Sequence, residues 1–143
     1  MIKKIYDKDK LLGIVIKDVN PTDKVTFYTD EDALLQLGYM KHAKGTITNA
    51  HWHKVMERTI PLTQEIIYMI RGYMRLDFYT EEEKYVESVN MKPTDVAILV
   101  SGGHGTKMYE DSDYWEVKQG PYLAVDDKVK FHEVTDDEVI INE

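Results

Sequence analysis

Short stretches rich in β-branched and aromatic residues recur along the chain with turn-forming residues between them, and this pattern limits the possible folds more than any other feature. Stretches of this kind predict strands, and regular turns between them are typical of a sandwich or barrel rather than of alternating strands and helices. The predicted strands are 13–19, 25–28, 34–42, 66–70, 73–79, 84–89, 96–100, 107–110 and 114–118. We therefore expect an all-β fold, an antiparallel barrel or jelly roll that closes the exposed sheet edges.

The N-terminal part of the chain contains two of these stretches with a strong turn between them. Asn20 and Pro21 favour a chain reversal, because proline restricts φ and asparagine hydrogen-bonds its own backbone. Strands 13–19 and 25–28 are therefore predicted to pair as a hairpin that extends the barrel. The stretch 34–42 also fits a short helix, because capping residues precede it, but its alternation favours a strand.

The domain organisation is expected to be simple. Neither a linker nor an internal repeat divides the 143 residues, a length typical of one domain. We expect a single domain spanning the whole chain, with N-terminal strands in 1–33, a barrel core in 34–122 and a C-terminal segment in 123–143. The acidic residues of 135–143 predict a solvated tail, although 139–141 could instead pair as an edge strand.

Charge and hydropathy exclude several classes of function. The chain has 26 acidic and 18 basic residues and a net charge of −8, the wrong sign for attraction to nucleic acid or to anionic lipid. The first ten residues lack the apolar run of a signal peptide, and no window approaches the ~20 apolar residues of a membrane span. We predict a cytoplasmic protein that has a small-molecule ligand and neither a nucleic-acid nor a membrane partner.

A His-x-His pair, preceded by Gly45, is the clearest chemical signal. In a strand, residues two apart point to the same face, so His51 and His53 are predicted to project together while Trp52 faces the opposite side. Two imidazoles on one face favour a metal ion, although this spacing alone is weakly specific. Because the chain has no cysteine, the remaining ligands of such an ion must be histidine, carboxylate or backbone oxygen.

Further residues that suit a metal follow this pair in order. Eleven residues separate His53 from Glu65, which begins a predicted strand that ends at Gly72. A turn at Pro93-Thr94-Asp95 then precedes another strand, and His104 follows that strand.

This arrangement resembles the cupin superfamily, and the resemblance covers about residues 34–118. The first cupin motif is Gly, five residues, His-x-His, a spacer, Glu, six residues and Gly, and the second is a turn, a strand and a histidine. Cupins of this small, single-domain kind fold as a β-barrel of jelly-roll type that binds one divalent metal. The resemblance implies that the metal ligands in this chain are His51, His53, Glu65 and His104.

Several departures from the family pattern affect this assignment. The spacer after His-x-His is longer than usual, so Glu57, which lies at the usual distance, competes with Glu65. Glu65 is favoured because a glycine lies seven positions after it and because the segment after Glu57 is poor in strand formers. Thr94, Val100 and Met108 stand where the family commonly has Gly, Pro and Asn, so the subfamily is not defined.

The implied ligand set indicates a class of chemistry. Imidazoles and one carboxylate suit Fe, Mn, Ni, Co or Zn as divalent ions, and four protein ligands leave two positions open on an octahedral ion. By resemblance, the predicted function is that of a metal-dependent enzyme acting on a small polar, sugar-like substrate by isomerase, epimerase or dioxygenase chemistry. The alternative is a non-catalytic, metal-containing module that binds or senses a small molecule.

Two arginines are candidate catalytic residues, because a guanidinium can orient an anionic substrate. They are Arg58, for which a surface ion pair with Glu57 is the commoner role, and Arg71. The candidate substrate-binding residues are Asn49, Arg58, Met69 and Tyr109.

The sequence also predicts structural roles for three residues near the site. Gln64 is expected to be a hydrogen-bonding structural residue, because it has the opposite strand parity to Glu65. Glu116 and Lys118 share one face of a predicted strand and are interpreted as a lock at the end of the barrel.

The resemblance, together with the predicted N-terminal hairpin, indicates a homodimer.

Overall fold

The computed structural model describes residues 1–18, 20–122 and 128–142. These residues form ten strands and no helix. The strands are β1 (Ile2–Asp7), β2 (Lys10–Ile16), β3 (Val25–Phe27), β4 (Gly38–Met40), β5 (Glu65–Arg71), β6 (Met74–Tyr79), β7 (Tyr85–Met91), β8 (Val96–Leu99), β9 (Gly103–Met108) and β10 (Asp113–Lys118). The chain divides into two compact units, which we name the two-sheet unit (1–19 and 63–143) and the hairpin unit (20–62).

The two-sheet unit consists of two antiparallel sheets. The five-stranded sheet has the order β1-β2-β8-β5-β10, and the three-stranded sheet has the order β7-β6-β9. The all-β, antiparallel prediction is therefore confirmed. The pairings among the described residues of this unit define two sheets, and no closed barrel is present among them.

The core lies between the inner faces of these two sheets. Alternation along β5 turns Ile67 and Met69 inward, and alternation along β6 does the same for Leu76 and Phe78. These side chains belong to one buried apolar cluster with residues of β2, β7 and β8. At Gly13 a Cβ would lie 2.4 Å from the Phe78 ring, so only glycine fits where β2 approaches that ring.

The hairpin unit contains one strand pair and a long irregular segment. β3 pairs antiparallel with β4, and the connection between them is held by Gln36, whose side-chain amide donates to the backbone carbonyls of Asp30, Glu31 and Ala33. The predicted strand 34–42 is therefore confirmed only at 38–40. Residues 41–64 form no strand.

The predicted N-terminal hairpin was wrong. β2 pairs with β1 on one side and with β8 on the other, whereas β3 pairs with β4. Residues 10–16 are thus an interior strand of the larger sheet, because the preceding turn at Lys8 and Asp9 returns the chain onto β1. Val19, in the predicted strand 13–19, lies outside the described residues. The homodimer stays a prediction, but the hairpin predicted from strands 13–19 and 25–28 no longer supports it.

Five later strands, β5 to β8 and β10, were predicted close to their observed bounds, whereas β9 spans Gly103–Met108 and the sequence predicted 107–110. The C-terminal segment differs from the solvated tail predicted for it. Val134 N donates to the Tyr79 hydroxyl at 2.9 Å, and Ile141 forms a parallel bridge with Ser88 of β7. The alternative of edge pairing at 139–141 is therefore the better description.

None of the described residues belongs to a helix long and apolar enough to cross a membrane.

Candidate functional site

The carboxylate of Glu65 lies at the start of β5 and faces the interior of the two-sheet unit. Glu65 has the same strand parity as Ile67 and Met69, and the residue is only 5% exposed. A charged group at such a position needs partners, because burial of an unpaired carboxylate is costly. Two cationic or hydrogen-donating side chains supply them.

The first partner is His104, the second residue of β9. In the β6–β9 ladder His104 lies opposite Phe78, so it shares the core-facing side of the three-stranded sheet. Its Nε2 is 3.1 Å from Oε2 of Glu65. An ionised carboxylate only accepts hydrogen bonds, so the Nε2 proton of His104 is the donor. Two of the four predicted metal ligands are therefore in direct contact.

The second partner is Lys118, the last residue of β10. Lys118 lies directly opposite Glu65 in the β5–β10 ladder, and its ammonium is 3.4 Å from Oε1 of that carboxylate. The same ammonium is 3.0 Å from Oε1 of Glu116, on the same face of β10, and 5.9 Å from the centre of the Tyr122 ring. Glu116 and Lys118 therefore form an ion pair that includes the predicted metal ligand Glu65, and their role as a lock stays a prediction.

These contacts determine the ionisation of the carboxylate. The hydrogen bond from His104 is the largest cause that lowers the pKa of Glu65, to about 2, while burial acts in the opposite direction. The charges of Lys118 and Lys128 lower this pKa further. Hydrogen bonding to Glu116 and the charge of Glu65 raise the pKa of Lys118. At neutral pH the site contains an ionised carboxylate and an ammonium.

The contact between Glu65 and His104 has the length of an ordinary hydrogen bond, and it can also be compared with the spacing of two ligands on one metal ion. Two ligands at right angles on an ion, each about 2.1 Å from it, lie about 3.0 Å apart. The 3.1 Å separation between the carboxylate oxygen and the imidazole nitrogen matches that distance. Coordination through Nε2 would require the His104 proton to leave that nitrogen, because a metal ligand needs its lone pair.

The other two predicted ligands lie in the hairpin unit. His51 and His53 are exposed on irregular backbone, so the prediction that a strand aligns them was wrong. Their rings are nevertheless neighbours, with centroids 5.4 Å apart. Nδ1 of His51 is 3.0 Å from the carbonyl oxygen of Asn49, which only accepts, so the neutral ring presents the lone pair of Nε2.

The four predicted ligands therefore form two pairs, each inside one compact unit. Within residues 1–18, 20–122 and 128–142 there is no group of three or more His, Asp or Glu side chains arranged to hold an ion. The competing ligand Glu57 is exposed in the irregular segment of the hairpin unit.

Most of the other candidate residues lie away from the Glu65 and His104 contact. Arg71 is at the opposite end of β5 from Glu65, about 20 Å along the strand, and binds Asp113 at 3.0 Å in an exposed ion pair. Met69 is fully buried in the apolar core, which is the packing role that is commoner for methionine.

Tyr109 follows the far end of β9 from His104, and its ring packs on Tyr73. Asn49 and Arg58 are exposed in the hairpin unit.

The structural role predicted for Gln64 is confirmed. Gln64 is buried, its backbone N–H donates to Oε1 of Gln119 at 2.8 Å, and its side-chain amide donates to the carbonyl of Val100. Nε2 of Gln119 is buried and has no hydrogen-bond partner in the described part of the chain. Gln64 and Gln119 thus tie the start of β5 to the end of β10, beside Glu65 and Lys118.

Sequence reasoning did not identify Lys118 as a partner of Glu65. A signal was present in the sequence, because Glu116 and Lys118 are two charged residues on one face of a strand. The β5–β10 register that brings them to Glu65, however, is not a local property of the sequence.

Neither a protein-family model nor a curated protein nor a solved structure matches this chain.

Proposed function

We propose that the chain is a metal-binding protein with the jelly-roll fold of the cupin superfamily. In this proposal one divalent transition metal, Fe, Mn, Ni, Co or Zn, is bound by His51, His53, Glu65 and His104. The observation that carries the proposal is the 3.1 Å contact between a buried carboxylate and an imidazole that are 39 residues apart in sequence. The donor types and their separation suit such an ion.

A backbone feature also supports the family assignment. Thr94 has a φ of 77°, in the left-handed region that glycine adopts most readily. This is the turn position where the cupin pattern commonly has glycine. A left-handed residue at this position of the turn between β7 and β8 is consistent with a family position where glycine is common.

The proposed activity is that of an enzyme acting on a small polar, sugar-like substrate, by isomerase, epimerase or dioxygenase chemistry. Four protein ligands leave two positions on an octahedral ion for such a substrate, and the ion supplies Lewis-acid or redox chemistry. The cytoplasmic location and the homodimer stay predictions.

Elemental analysis of the full chain, purified without a tag or chelator and then equilibrated with each divalent metal in turn, tests the site. The wild-type chain is expected to retain about one ion, and His51→Ala, His53→Ala, Glu65→Gln and His104→Ala are each expected to lose most of it. His42→Ala and His132→Ala are matched controls, since neither residue belongs to the proposed set, and they should retain the ion.

Two results would contradict the proposed site. One is a wild-type chain that takes up none of the metals, and the other is equal loading of the six variants. With the metal identified, turnover of aldoses and ketoses or uptake of dioxygen would separate the enzyme from a sensor that only binds.

A further inference from the structure

The outer face of the three-stranded sheet, on the side away from the core, is polar and yet buried. Arg75, Asp77 and Tyr79 of β6 are each 2% exposed, and Ser88, which lies opposite Asp77 on β7, is fully buried. A polar face needs hydrogen-bonding partners when it is removed from water, because unpaired polar groups are costly to bury. Residues 131–142, which we name the C-terminal strap, supply such partners here.

The strap contacts the sheet mainly through hydrogen bonds. Val134 N donates to the hydroxyl of Tyr79 and Ile140 N donates to that of Tyr85, each at 2.9 Å. The carbonyl of Ile140 accepts from Ser88 N at 2.8 Å. Val134 is the only buried residue among 131–142. Release of the strap therefore exposes little apolar surface, and the polar face that it leaves behind can bind water.

Asp136 contributes the ion pairs of the strap. Its Oδ1 is 3.0 Å from Nη1 of Arg75, and its Oδ2 binds the ammonium of Lys107. Hydrogen bonds from Lys107 and Arg75 lower the pKa of Asp136, so this carboxylate is ionised at neutral pH. Asp77 binds Nε and Nη2 of the same guanidinium, which leaves Nη1 for the strap. Arg75 and Lys107 thus form a cationic acceptor site, whose charge together with that of Asp77 sums to +1 until Asp136 binds.

The connection to the strap is long enough to reach another molecule. Residues 119–130 join the end of β10 to the strap, and twelve extended residues span up to ~40 Å. The contacts of the strap are non-covalent, so the strap of a second copy can make the same ones. At low concentration the chain's own strap is favoured, because a tethered segment has an effective concentration on the order of 1 mM.

We propose that two copies of this chain exchange their C-terminal straps, with Asp136 of each copy binding Arg75 and Lys107 of the other. Exchange of an identical element is a low-cost route to a dimer, because the contacts of the closed monomer are kept. Each copy gives one strap and receives one, so the dimer is symmetric. The exchange gives the predicted homodimer a specific interface, and it does not depend on the proposed metal.

Two full-length variants with complementary defects test the exchange. Asp136→Asn has a damaged strap and an intact acceptor site, whereas Lys107→Gln has an intact strap and a damaged acceptor site. Native mass spectrometry of their mixture, with one variant isotopically labelled, separates heterodimers from homodimers. Heterodimers are expected several-fold above the statistical proportion, because only they join an intact strap to an intact acceptor site, and losing a charge-assisted hydrogen bond typically costs about tenfold.

Asp137→Asn is the matched control for Asp136→Asn. It makes the same chemical change at the next residue, which forms no ion pair in the part of the chain that the structure describes. Mixed with Lys107→Gln, it should give no excess of heterodimers, because its own strap still fits its own acceptor site.

Hydrogen exchange provides a second readout, which shows whether the strap separates from an intact sheet. In each variant alone the amides of Val134 and Ile140 should exchange faster than in wild type, while the amides of β6 should stay protected. Mixing the two variants should slow the strap amides of the Lys107→Gln copy again, because its strap then binds the intact acceptor site of the other copy.

Three results would overturn the inference. Heterodimers in the statistical proportion would mean that the copies associate through another surface. Variants that remain monomeric after mixing would mean that no strap is exchanged. Fast exchange at the amides of β6 in either variant would mean that the strap does not leave without unfolding the sheet.

Discussion

At the scale of single residues, Gly72 shows how one backbone position fixes a turn of the two-sheet unit. It turns the chain between β5 and β6 with a φ of 91°, and a Cβ there would lie 2.3 Å from Oγ of Ser112 and 2.4 Å from the carbonyl oxygen of Asp111. The sequence singled out this glycine as the end of the first cupin motif. The structure gives the physical reason, which is a left-handed backbone in a space without room for a side chain.

Gly72→Ala is therefore expected to lower the free energy of unfolding by about 1–3 kcal/mol, measured by urea denaturation. Gly45→Ala is the matched control, because Gly45 has a φ of 85° but no atom within 4 Å of its Cβ position. The control should lose less, since it has the backbone strain without the clash. Equal losses in the two variants would show that the contact with Ser112 does not matter.

At the scale of elements, β6 has two buried faces of opposite character. Its inner face is apolar, whereas its outer face has Arg75 and Asp77, each 2% exposed. Nε of Arg75 is 2.7 Å from Oδ1 of Asp77, and the guanidinium also binds Asp136 of the C-terminal segment. Burial acts to lower the pKa of Arg75, but the hydrogen bonds with Asp77, Asp136 and Tyr109 outweigh it, so that the pKa is raised.

Asp77→Ala should cost about 3–5 kcal/mol of unfolding free energy, because it leaves a buried guanidinium without its main partner. Asp113→Ala is the control, since it breaks the exposed pair with Arg71 and should cost at most about 1 kcal/mol. Chemical denaturation of both variants gives the comparison. Similar losses would indicate that the outer face of β6 is open to water.

The turn between β7 and β8 contains a buried acid that makes stability depend on pH. Asp95 is 3% exposed and accepts a hydrogen bond from Lys92 N at 2.9 Å. Burial is the main cause that raises the pKa of Asp95; Asp18 adds to this, while the hydrogen bond, Lys17 and Lys92 oppose it. A raised folded-state pKa means that the native chain binds this proton more readily than the unfolded chain. This group therefore stabilises the fold more as the pH falls through its raised pKa.

Asp95→Asn keeps an acceptor for the Lys92 amide and removes the buried charge, so it should be more stable than wild type at pH 7. The difference in thermal midpoint should shrink as the pH falls through the raised pKa of Asp95, because the wild-type carboxyl then becomes protonated. A variant less stable than wild type at pH 7 would mean that the attraction of Lys17 and Lys92 exceeds the cost of burial.

At the scale of the whole molecule, the proposed ligands come from both compact units. His51 and His53 belong to the hairpin unit, and Glu65 and His104 belong to the two-sheet unit. Because the proposed set takes two ligands from each unit, the proposal predicts that metal raises the stability of each unit. Each unit contains one of the chain's two tryptophans, since Trp52 lies in the hairpin unit and Trp115 on β10.

Metal at one hundred times its dissociation constant is expected to add about 2.7 kcal/mol to the free energy of unfolding. In Trp115→Phe and Trp52→Phe the remaining tryptophan reports on one unit, and thermal unfolding followed by fluorescence should give a higher midpoint with metal in both variants. Chelator should reverse the change, and Glu65→Gln should abolish it. A shift reported by one tryptophan alone would contradict the proposed set of four ligands.

The sequence by itself determined the local features of this protein. Alternation with a period of two, interrupted by turn residues, predicted β5 to β8 and β10 near their observed bounds, although it placed the start of β9 four residues too late. The same parity predicted the structural role of Gln64. Motif resemblance selected Glu65 and His104, which the structure brings into contact. These predictions succeed because strand parity and turn chemistry are properties of neighbouring residues.

Only the tertiary structure decided which strands pair and what each inward-facing charge meets. It placed β2 between β1 and β8 instead of beside β3, left His51 and His53 on irregular backbone, and set Lys118 against Glu65. Register depends on the combined burial of many side chains distant in sequence. The partners of Glu65 therefore follow from the packed sheets rather than from the residues beside it in the chain.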